Sequence, residues 1–269
     1  MQPLSRNIED YPDGIVLCID KPYRWTSADV IRKVKYAACR HFGKKNLKVG
    51  HAGTLDPLAT GVLLICIGAA TKRAEELQAS EKQYLAGVTF GATTPSYDLE
   101  KEIDREFPLE NVSLEALEAA LPRFIGEQMQ VAPLFSAKSV DGVRAYETAR
   151  KLYRQGRLEE AGDLIRASKI TISGLEVMHF GSSDEKTDAI AAAADDTQRI
   201  HVADIAGRGL PTADILVTCS KGTYIRALAR DLGEALGSGA FLSSLRRTRC
   251  GDYRADDALT LQEVLDMLG

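Results

Sequence analysis

The stretch "KVGHAGTLDPLATGVLLICIGAATK", residues 48–72, places one carboxylate, Asp56, in a loop of small residues just ahead of an apolar run. The run from Val62 to Ile67 has the length and composition of a buried strand. A proline follows Asp56, and the residue before a proline is held in an extended conformation. In a loop of glycine, alanine and threonine, the backbone around such a residue is open to close approach by a ligand.

Two interpretations of Asp56 follow from the residues alone. From Gly50 to Arg73 it is the only acid, and Lys48, His51 and Lys72 accompany it in sequence. An aspartate before a proline commonly forms an Asx turn, which needs no ligand. The alternative is an acid that acts on a bound molecule. Both interpretations stay open at this point.

The segments around this loop alternate irregularly between strand and helix patterns. "GIVLCID" predicts a buried strand that ends at Lys21-Pro22, and "TSADVIRKVKYAACRHFG" predicts a helix capped by Thr26 or Ser27. In "KQYLAGVTFG" alternate residues, from Tyr84 to Phe90, form the apolar face of a half-buried strand. This irregular alternation indicates an α+β fold with a mixed sheet, not a doubly wound parallel one.

The second half of the chain continues the same mixture. "SLEALEAALPRF" predicts a helix beginning at Ser113, "RAYETARKLYRQG" another, and "TYIRALARDLGEALG" a third, capped by Thr223. "SKITISGLEVMHF" and "ADILVTC" predict strands, and Thr260 with Glu263 fits a capping box for a last helix. Residues 182–212, polar and rich in alanine, predict an inserted, partly mobile excursion that carries no chemistry.

The charge of the chain is unevenly distributed. Its net charge is −4, yet residues 21–48 contain nine Lys or Arg and one acid, and Arg246, Arg247, Arg249 and Arg254 form a second basic group. A basic face on an acidic protein suits a phosphate backbone partner. A solvated charged face is the alternative that charge alone leaves open.

Composition excludes several other classes of protein. The longest apolar run is too short to span a membrane, and the polar start "MQPLSRNIEDYPDG" lacks the pattern of a signal peptide. The five cysteines form no CxxC pair, which favours reduced, buried thiols over disulfides or a zinc site. We therefore expect a cytoplasmic protein.

Arg226 is the second residue of interest. It falls in the first turn of the helix predicted in "TYIRALARDLGEALG". A cation there opposes the helix dipole at a cost of a few tenths of a kcal/mol. An anionic partner, either a carboxylate or a phosphate, is therefore expected, and Asp56 is one candidate.

Several motifs together resemble one known family. "GHAGTLDPLATGVLLICIG" resembles the catalytic motif of the TruB family, bacterial enzymes that convert uridine 55 of tRNA to pseudouridine. "LCIDKP" near the start, "KQYLAGVTFGATTPSYD", "PLFSAKSVDGVRAYETAR", "CSKGTYIRALARDLG" and "LSSLRRTRCG" also appear, all in family order. The resemblance implies a pseudouridine synthase fold, with a largely antiparallel central sheet flanked by helices, in a single catalytic domain over residues 1–269.

The resemblance also implies roles for individual residues. Asp56 matches the catalytic aspartate, Arg226 the arginine that pairs with it, and Tyr84 the tyrosine that stacks on the uracil. Substrate contacts are implied for the residues that match the remaining motif positions or lie in the basic clusters: His51, Tyr224, Leu245, Lys21 and Lys72. The alternatives are purely structural roles, in which Tyr84 and Leu245 pack in the core and His51 caps the loop.

The sequence departs from the family at two points. Phe135 in "APLFSAKS" stands where the family has a tyrosine, so no hydroxyl contact is expected there. Family members often carry an RNA-binding PUA domain, and the roughly twenty residues after "LRRTRCG" are too few for one.

The implied reaction breaks the N1–C1′ bond of a uridine and rejoins the uracil through C5. No redox cofactor, metal or activated donor is needed, and one carboxylate suffices because the uracil carries its own charge. Asp56 either attacks C1′ or removes a C2′ proton. The implied partner is the T arm of tRNA, bound by a monomer without an obligate protein partner. Two alternatives are a non-catalytic RNA-binding module and a nucleoside-cleaving hydrolase.

Overall fold

The computed structural model of the chain describes residues 4–136, 139–140, 143–157, 166–185 and 200–269. These residues form two compact units. Unit 1 comprises, within the described part, residues 4–85, Ile200 and 245–269, and unit 2 comprises those from 86 to 185 and from 201 to 244. That residues 1–269 form one catalytic domain stays a prediction.

In chain order, the first elements are β1 (Ile15–Lys21), α1 (Ser27–His41), β2 (Val49–His51), β3 (Ala59–Ile67), α2 (Ala74–Ala79), β4 (Lys82–Phe90), β5 (Ala92–Thr93), β6 (Arg105–Glu106), α3 (Leu114–Ala120) and β7 (Gly126–Gln130). The following elements are β8 (Ser139–Val140), β9 (Val143–Arg144), α4 (Ala145–Arg154), β10 (Ser168–Ser182), β11 (Pro211–Cys219), α5 (Ile225–Ala235), β12 (Ala240–Cys250), β13 (Tyr253–Arg254), β14 (Leu259–Thr260) and α6 (Leu261–Met267). Strands β4 and β12 contribute residues to both units.

The sheet of unit 1 runs in the order β14-β1-β3-β12-β4. β1 is antiparallel to β3, with Ile19 opposite Leu63, whereas β3 and β12 are parallel, with Ala59 opposite Leu245. The short strand β2 pairs antiparallel with β3. Because β3 has partners on both sides and is buried along nearly its whole length, it forms the centre of the unit.

Helix α1 covers this sheet with one face. It buries Val30, Val34 and Ala38, which recur at helical spacing, and packs against β2 and β3. Thr26 and Asp29 form a reciprocal capping box at its start, which satisfies backbone donors that the first turn leaves without partners. The predicted helix and its cap at Thr26 are confirmed.

The sheet of unit 2 runs in the order β12-β4-β11-β10-β7. The pairs β10–β11 and β10–β7 are antiparallel, and helix α3 packs against α5. Helices accompany the sheet in both units, and among the recorded strand pairs antiparallel ones outnumber the parallel pairs β1–β14 and β3–β12. The predicted α+β fold class is confirmed.

Two predictions about unit 2 need correction. The N-cap position of α5 is Tyr224, not Thr223, whose hydroxyl donates to the carbonyl of Ser220 at 3.0 Å. The excursion predicted at 182–212 has different limits, because Ser182 ends β10 and Pro211 begins β11. Residues 186–199 lie outside the described part, while Ala203 and Ile205 are buried, so this end of the segment packs into the unit.

The cysteines are free thiols, as expected. Cys66, Cys219 and Cys250 are buried, and Cys18 and Cys39 are half-buried. Burial raises the pKa of Cys18 to about 11, which makes it a poor nucleophile. Within the described residues, no helix combines the length and the apolar character needed to cross a membrane.

Gly61 marks a close backbone approach between β3 and β12. Its φ is +94°, and a Cβ there would lie 2.2 Å from the carbonyl oxygen of Arg247. Gly43 also has a positive φ, +62°, but a Cβ there would meet nothing within 4 Å. We expect Gly43→Ala to cost about 1 kcal/mol of unfolding free energy and Gly61→Ala roughly 3 kcal/mol or more. Urea denaturation measures both; equal costs would contradict the close approach.

Candidate active site

The Asp56 loop lies in unit 1 and connects β2 to β3. Asp56 is half-buried, and its carbonyl accepts a hydrogen bond from the Ala59 amide at 3.1 Å. The preceding residue, Leu55, is buried and tied to the start of α1. The Ser27 hydroxyl accepts from the Leu55 amide at 3.0 Å and donates to the Leu55 carbonyl at 3.1 Å. The loop is therefore fixed on both sides of the carboxylate.

The side chain of Lys21 also fixes this loop. Its side chain is fully buried, and Nζ donates to the carbonyls of Pro22 at 2.8 Å, Trp25 at 2.6 Å and Pro57 at 3.1 Å. An ammonium has three donors, and here all three are engaged. The prediction that Lys21 binds a substrate phosphate is wrong, because the group is occupied by the protein's own backbone. Its role is to join the end of β1 to the residue after Asp56.

The charge of Lys21 also bears on Asp56. Burial lowers the pKa of Lys21 to about 7, while the nearby Asp56 carboxylate acts in the opposite direction. Arg247 adds to the lowering. Lys21 is therefore a buried cation that titrates near neutral pH within the electrostatic range of the carboxylate.

The turn after Lys21 contains a strained residue. Arg24 has a φ of +61°, in the left-handed region that costs a non-glycine residue roughly 1–2 kcal/mol. This turn lets the carbonyls on either side, those of Pro22 and Trp25, both reach the Lys21 ammonium. The Arg24 side chain donates from Nε to the carbonyl of Ile200 at 3.0 Å.

The basic group on β12 is largely structural. Arg246 donates two hydrogen bonds to the Asp20 carboxylate, at 3.0 and 2.8 Å, and Asp20 also accepts from the Gly61 amide. Arg247 is 1% exposed and donates to the carbonyls of Val62 at 2.6 Å and Gly53 at 3.3 Å. Both arginines hold the strands around the Asp56 loop. The expectation that they bind phosphate is corrected accordingly.

Four other predicted residues lie in unit 1. His51 ends β2 and is half-buried; burial and the charge of Arg247 lower its pKa. Tyr84 is 9% exposed on β4, and Leu245 is half-buried on the neighbouring strand β12, opposite Ala59 of β3. Lys72 is exposed in the short 3-10 helix Gly68–Arg73. The sheet thus places Tyr84 and Leu245 on adjacent strands. The residue opposite Leu245, Ala59, follows Asp56 by three positions in the sequence.

Arg226 lies in unit 2, in the first turn of α5, as predicted. It is 4% exposed, and its Nε lies 3.6 Å from the carboxylate of Asp98, which is equally buried. Its guanidinium also donates to the carbonyls of Ser96 at 3.0 Å and Phe135 at 2.9 Å. The expected anionic partner exists, and Asp98 is a residue that the sequence analysis missed. The pairing of Arg226 with Asp56 stays a prediction.

Tyr224 and Phe135 are also held by main-chain contacts in unit 2. The amide of Tyr224 donates to the Gln130 side chain at 2.9 Å, and that side chain donates back to the Tyr224 carbonyl at 3.2 Å. The Phe135 carbonyl accepts a hydrogen bond from Arg226. The Phe135 ring packs edge-on against that of Tyr153, with the two ring centroids 6.1 Å apart. Because the Arg226 contact is to the main chain, a phenylalanine can make it as well as a tyrosine.

Comparison with known proteins identifies the family. Residues 40–197 match the model of the N-terminal domain of TruB family pseudouridylate synthases, and residues 226–269 match the C-terminal domain of tRNA pseudouridylate synthase B. The chain therefore belongs to the TruB family of pseudouridine synthases, which are isomerases. The resemblance seen in the sequence is confirmed.

Two curated relatives show how far the similarity extends. The tRNA pseudouridine synthase B of Phocaeicola vulgatus is 47% identical over 96% of this chain and 95% of its own length. The enzyme of the same name from Streptomyces coelicolor is 41% identical over 94% of this chain and 73% of its own.

Solved structures agree on the fold. A chain in a Cbf5–Nop10–Gar1 complex superposes with a TM-score of 0.60 at 26% identity, covering 96% of this chain. A chain in an H/ACA RNP bound to a substrate RNA containing 2′-deoxyuridine gives 0.59 at 23% identity. This chain spans only 56% and 55% of those two chains.

The structural role of Arg247 can be tested by comparing the stability of an Arg247 variant with that of a variant at Arg254. Arg247→Met would leave the carbonyls of Val62 and Gly53 without these donors, so we expect a loss of about 2–4 kcal/mol in unfolding free energy. Arg254→Met, at an exposed position, should change it by less than about 0.5 kcal/mol. Thermal or urea denaturation measures both. A stable Arg247→Met variant with weakened RNA binding would favour the original assignment to phosphate.

Proposed function

We propose that the chain isomerises uridine to pseudouridine at position 55, in the T loop of tRNA, with Asp56 as its one catalytic carboxylate. Family membership over nearly the whole chain supports the reaction type, and relatives named tRNA pseudouridine synthase B support the substrate. The observation that carries the assignment to Asp56 is the position of this half-buried residue in a loop anchored at Leu55, Pro57 and Ala59.

The chemistry needs a positioned anion at the anomeric region of the nucleotide. Asp56 either attacks C1′, forming a C1′–O bond as the N1–C1′ bond breaks, or removes a C2′ proton to give a glycal. In both routes the bonding electrons leave with the uracil, which rotates and forms a new bond from C5 to C1′. In the first route the C1′–O bond to Asp56 breaks as this bond forms, and in the second Asp56 returns the proton to C2′. The C5 proton is lost and N1 gains one, so no atom is added. A rigid loop favours either route because the carboxylate is already in place.

Surrounding residues supply binding and orientation. Tyr84 stacks on the extruded uracil, which returns about 1–3 kcal/mol of the cost of unstacking. Leu245 adds an apolar contact, and His51 helps to extrude the nucleotide. Arg226 pairs with Asp56 and keeps it ionised. Asp98, buried against Arg226, orients that guanidinium.

The remaining contacts are to the T arm. Tyr224 contacts the substrate, and exposed cations, Lys72 among them, bind its phosphates. Recognition depends on loop shape and unpaired bases, as is general for RNA. The protein acts as a cytoplasmic monomer without a cofactor or an obligate partner.

The role of Asp56 has a direct test. Asp56→Asn keeps the shape of the loop but removes the charge, so we expect turnover to fall by about 10⁴-fold or more, with tRNA affinity unchanged within a few-fold. Asp13→Asn, at an exposed acid of the same unit, is the matched control and should remain active. Tritium release from uridine labelled at C5 measures turnover. Activity of Asp56→Asn near wild type would disprove the mechanism.

The same assay separates isomerisation from hydrolysis. An isomerase releases the C5 tritium and retains the base in the RNA, whereas a nucleoside hydrolase releases free uracil. An RNA-binding module without activity does neither.

The buried Lys21 predicts a pH dependence. Its pKa is lowered to about 7, so raising the pH from 6 to 9 removes the positive charge near Asp56 and one of the three N–H donors that hold the carbonyls of Pro22, Trp25 and Pro57. We expect kcat to fall through this range, by about tenfold for each pH unit well above the pKa if only the protonated form is active. In Lys21→Met the alkaline fall should be absent and kcat low throughout. Lys72→Met, at an exposed lysine, should keep the wild-type profile. An unchanged profile in Lys21→Met would contradict the role.

A further inference from the structure

The outer face of α1 combines cations with aromatic rings. Lys33 Nζ lies 4.6 Å from the ring centroid of Trp25, and the guanidinium of Arg40 lies 5.7 Å from that of Tyr36. Lys33, Tyr36 and Arg40 are exposed, on the side of the helix opposite the buried stripe of Val30, Val34 and Ala38. We call Trp25, Lys33, Tyr36 and Arg40 the α1 ladder.

Tyr36 is the unusual member of the ladder. It is 67% exposed, a high value for a large aromatic ring, and it lies in the part of the chain where nine basic residues accompany a single acid. That acid, Asp29, is taken by the capping box and by Arg32, whose Nη1 lies 3.0 Å from its carboxylate. Among the residues that the structure describes, Lys33 and Arg40 form no recorded ion pair, so the ladder presents positive charge beside an accessible stacking surface.

The β12 arginines do not share this property. Arg246 and Arg247 are occupied by Asp20 and by backbone carbonyls, whereas Lys33 and Arg40 on α1 are exposed. Cations interleaved with exposed aromatic rings suit RNA, since phosphates meet the cations and an unpaired base has a face that stacks. An acidic protein surface would satisfy the charges but would leave the ring of Tyr36 without a matching group.

The positions of Tyr36 and Arg40 separate these two residues of the ladder from the reacting nucleotide. Helix α1 begins at Ser27, which is hydrogen-bonded to Leu55 beside Asp56. At 1.5 Å per residue, Tyr36 lies about 14 Å and Arg40 about 20 Å along the helix from that point. A nucleotide at Asp56 cannot itself reach them. Whatever stacks on Tyr36 belongs to another part of the RNA.

We propose that the α1 ladder is a second RNA-contact surface, which stacks one unpaired base on Tyr36 and binds the adjoining phosphates through Lys33 and Arg40. Its Tyr36 and Arg40 end is remote from the uridine that reacts. The surface contributes to binding and not to the chemical step. This inference rests on the proposed function for the identity of the RNA. The RNA segment that binds the ladder, an unpaired base with its adjoining phosphates, belongs either to the T-arm stem-loop or to the rest of the tRNA.

The stacking contact is tested with Tyr36→Ala and the matched variant Tyr36→Phe, which keeps the ring. Kd is measured by direct binding, and kcat and KM by tritium release, on a full-length tRNA transcript and on the isolated T-arm stem-loop. We expect Tyr36→Ala to raise Kd and KM about 5- to 10-fold on at least the full-length RNA, with kcat unchanged. Tyr36→Phe should stay within about twofold. A loss on both RNAs assigns the base to the stem-loop, and a loss on the full-length RNA alone assigns it elsewhere.

The charged contacts are tested with Lys33→Ala/Arg40→Ala. The control is Arg6→Ala/Arg123→Ala, which removes the same charge from two other exposed positions. We expect only the first variant to reduce the slope of log Kd against log salt concentration, by about 1.5. The proposal is overturned if Tyr36→Ala binds both RNAs like wild type, or if both double variants reduce the slope equally. Because Kd is measured without turnover, these outcomes are distinguishable from a failure of the proposed reaction, which would appear as an inactive wild-type protein.

Discussion

A single buried ammonium determines the geometry of the proposed catalytic loop. Lys21 ends the first strand with its charge inside the protein, where three backbone carbonyls bind it. Burying a cation is costly unless all of its donors are engaged, so the chain around it has little freedom. Its three acceptors come from the turn that leads into α1 and from Pro57, the residue after Asp56. The hydrogen bond from the ammonium to Pro57 thus helps to fix the main chain next to the carboxylate.

The surrounding contacts make the same loop rigid from other directions. Ser27, at the start of α1, forms hydrogen bonds with both the amide and the carbonyl of Leu55. Arg246 pairs with Asp20 and so joins β12 to β1. Arg247 donates to Gly53 and Val62, on either side of the loop. A carboxylate that acts on a transient intermediate gains from such preorganisation, because little reorganisation is then needed when charge develops. Stability and the proposed chemistry therefore draw on the same residues.

Much of this arrangement was predictable from local sequence patterns. The helix α1 and its cap at Thr26, the buried run in β3 and the alternating residues of β4 follow from periodicity and capping preferences. The burial of Lys21 also has a signal in the local sequence. It continues the inward-facing series Ile15, Leu17 and Ile19 of β1, so alternation alone points its side chain into the core.

The errors concern contacts between residues far apart in sequence. Asp20 and Arg246 are separated by 226 positions, and no local pattern distinguishes an arginine paired across a sheet from one that binds phosphate. Asp98 lies in an irregular loop where periodicity gives no information about burial. Thr223 does not cap α5, because its hydroxyl donates to the carbonyl of Ser220. Composition does not decide whether a threonine hydroxyl bonds to the preceding turn or to the first turn of the helix.

Lys21 anchors the Asp56 loop, and amide hydrogen exchange in Lys21→Met tests this role most directly. The Leu55 and Ala59 amides, which bond to Ser27 and to Asp56, report on the loop, and the Ala52 amide, which bonds to the Leu64 carbonyl, reports on the sheet. The account predicts that Leu55 and Ala59 lose protection while Ala52 keeps it. Unchanged protection at all three amides would show that the loop holds its position without the ammonium, and would contradict the account.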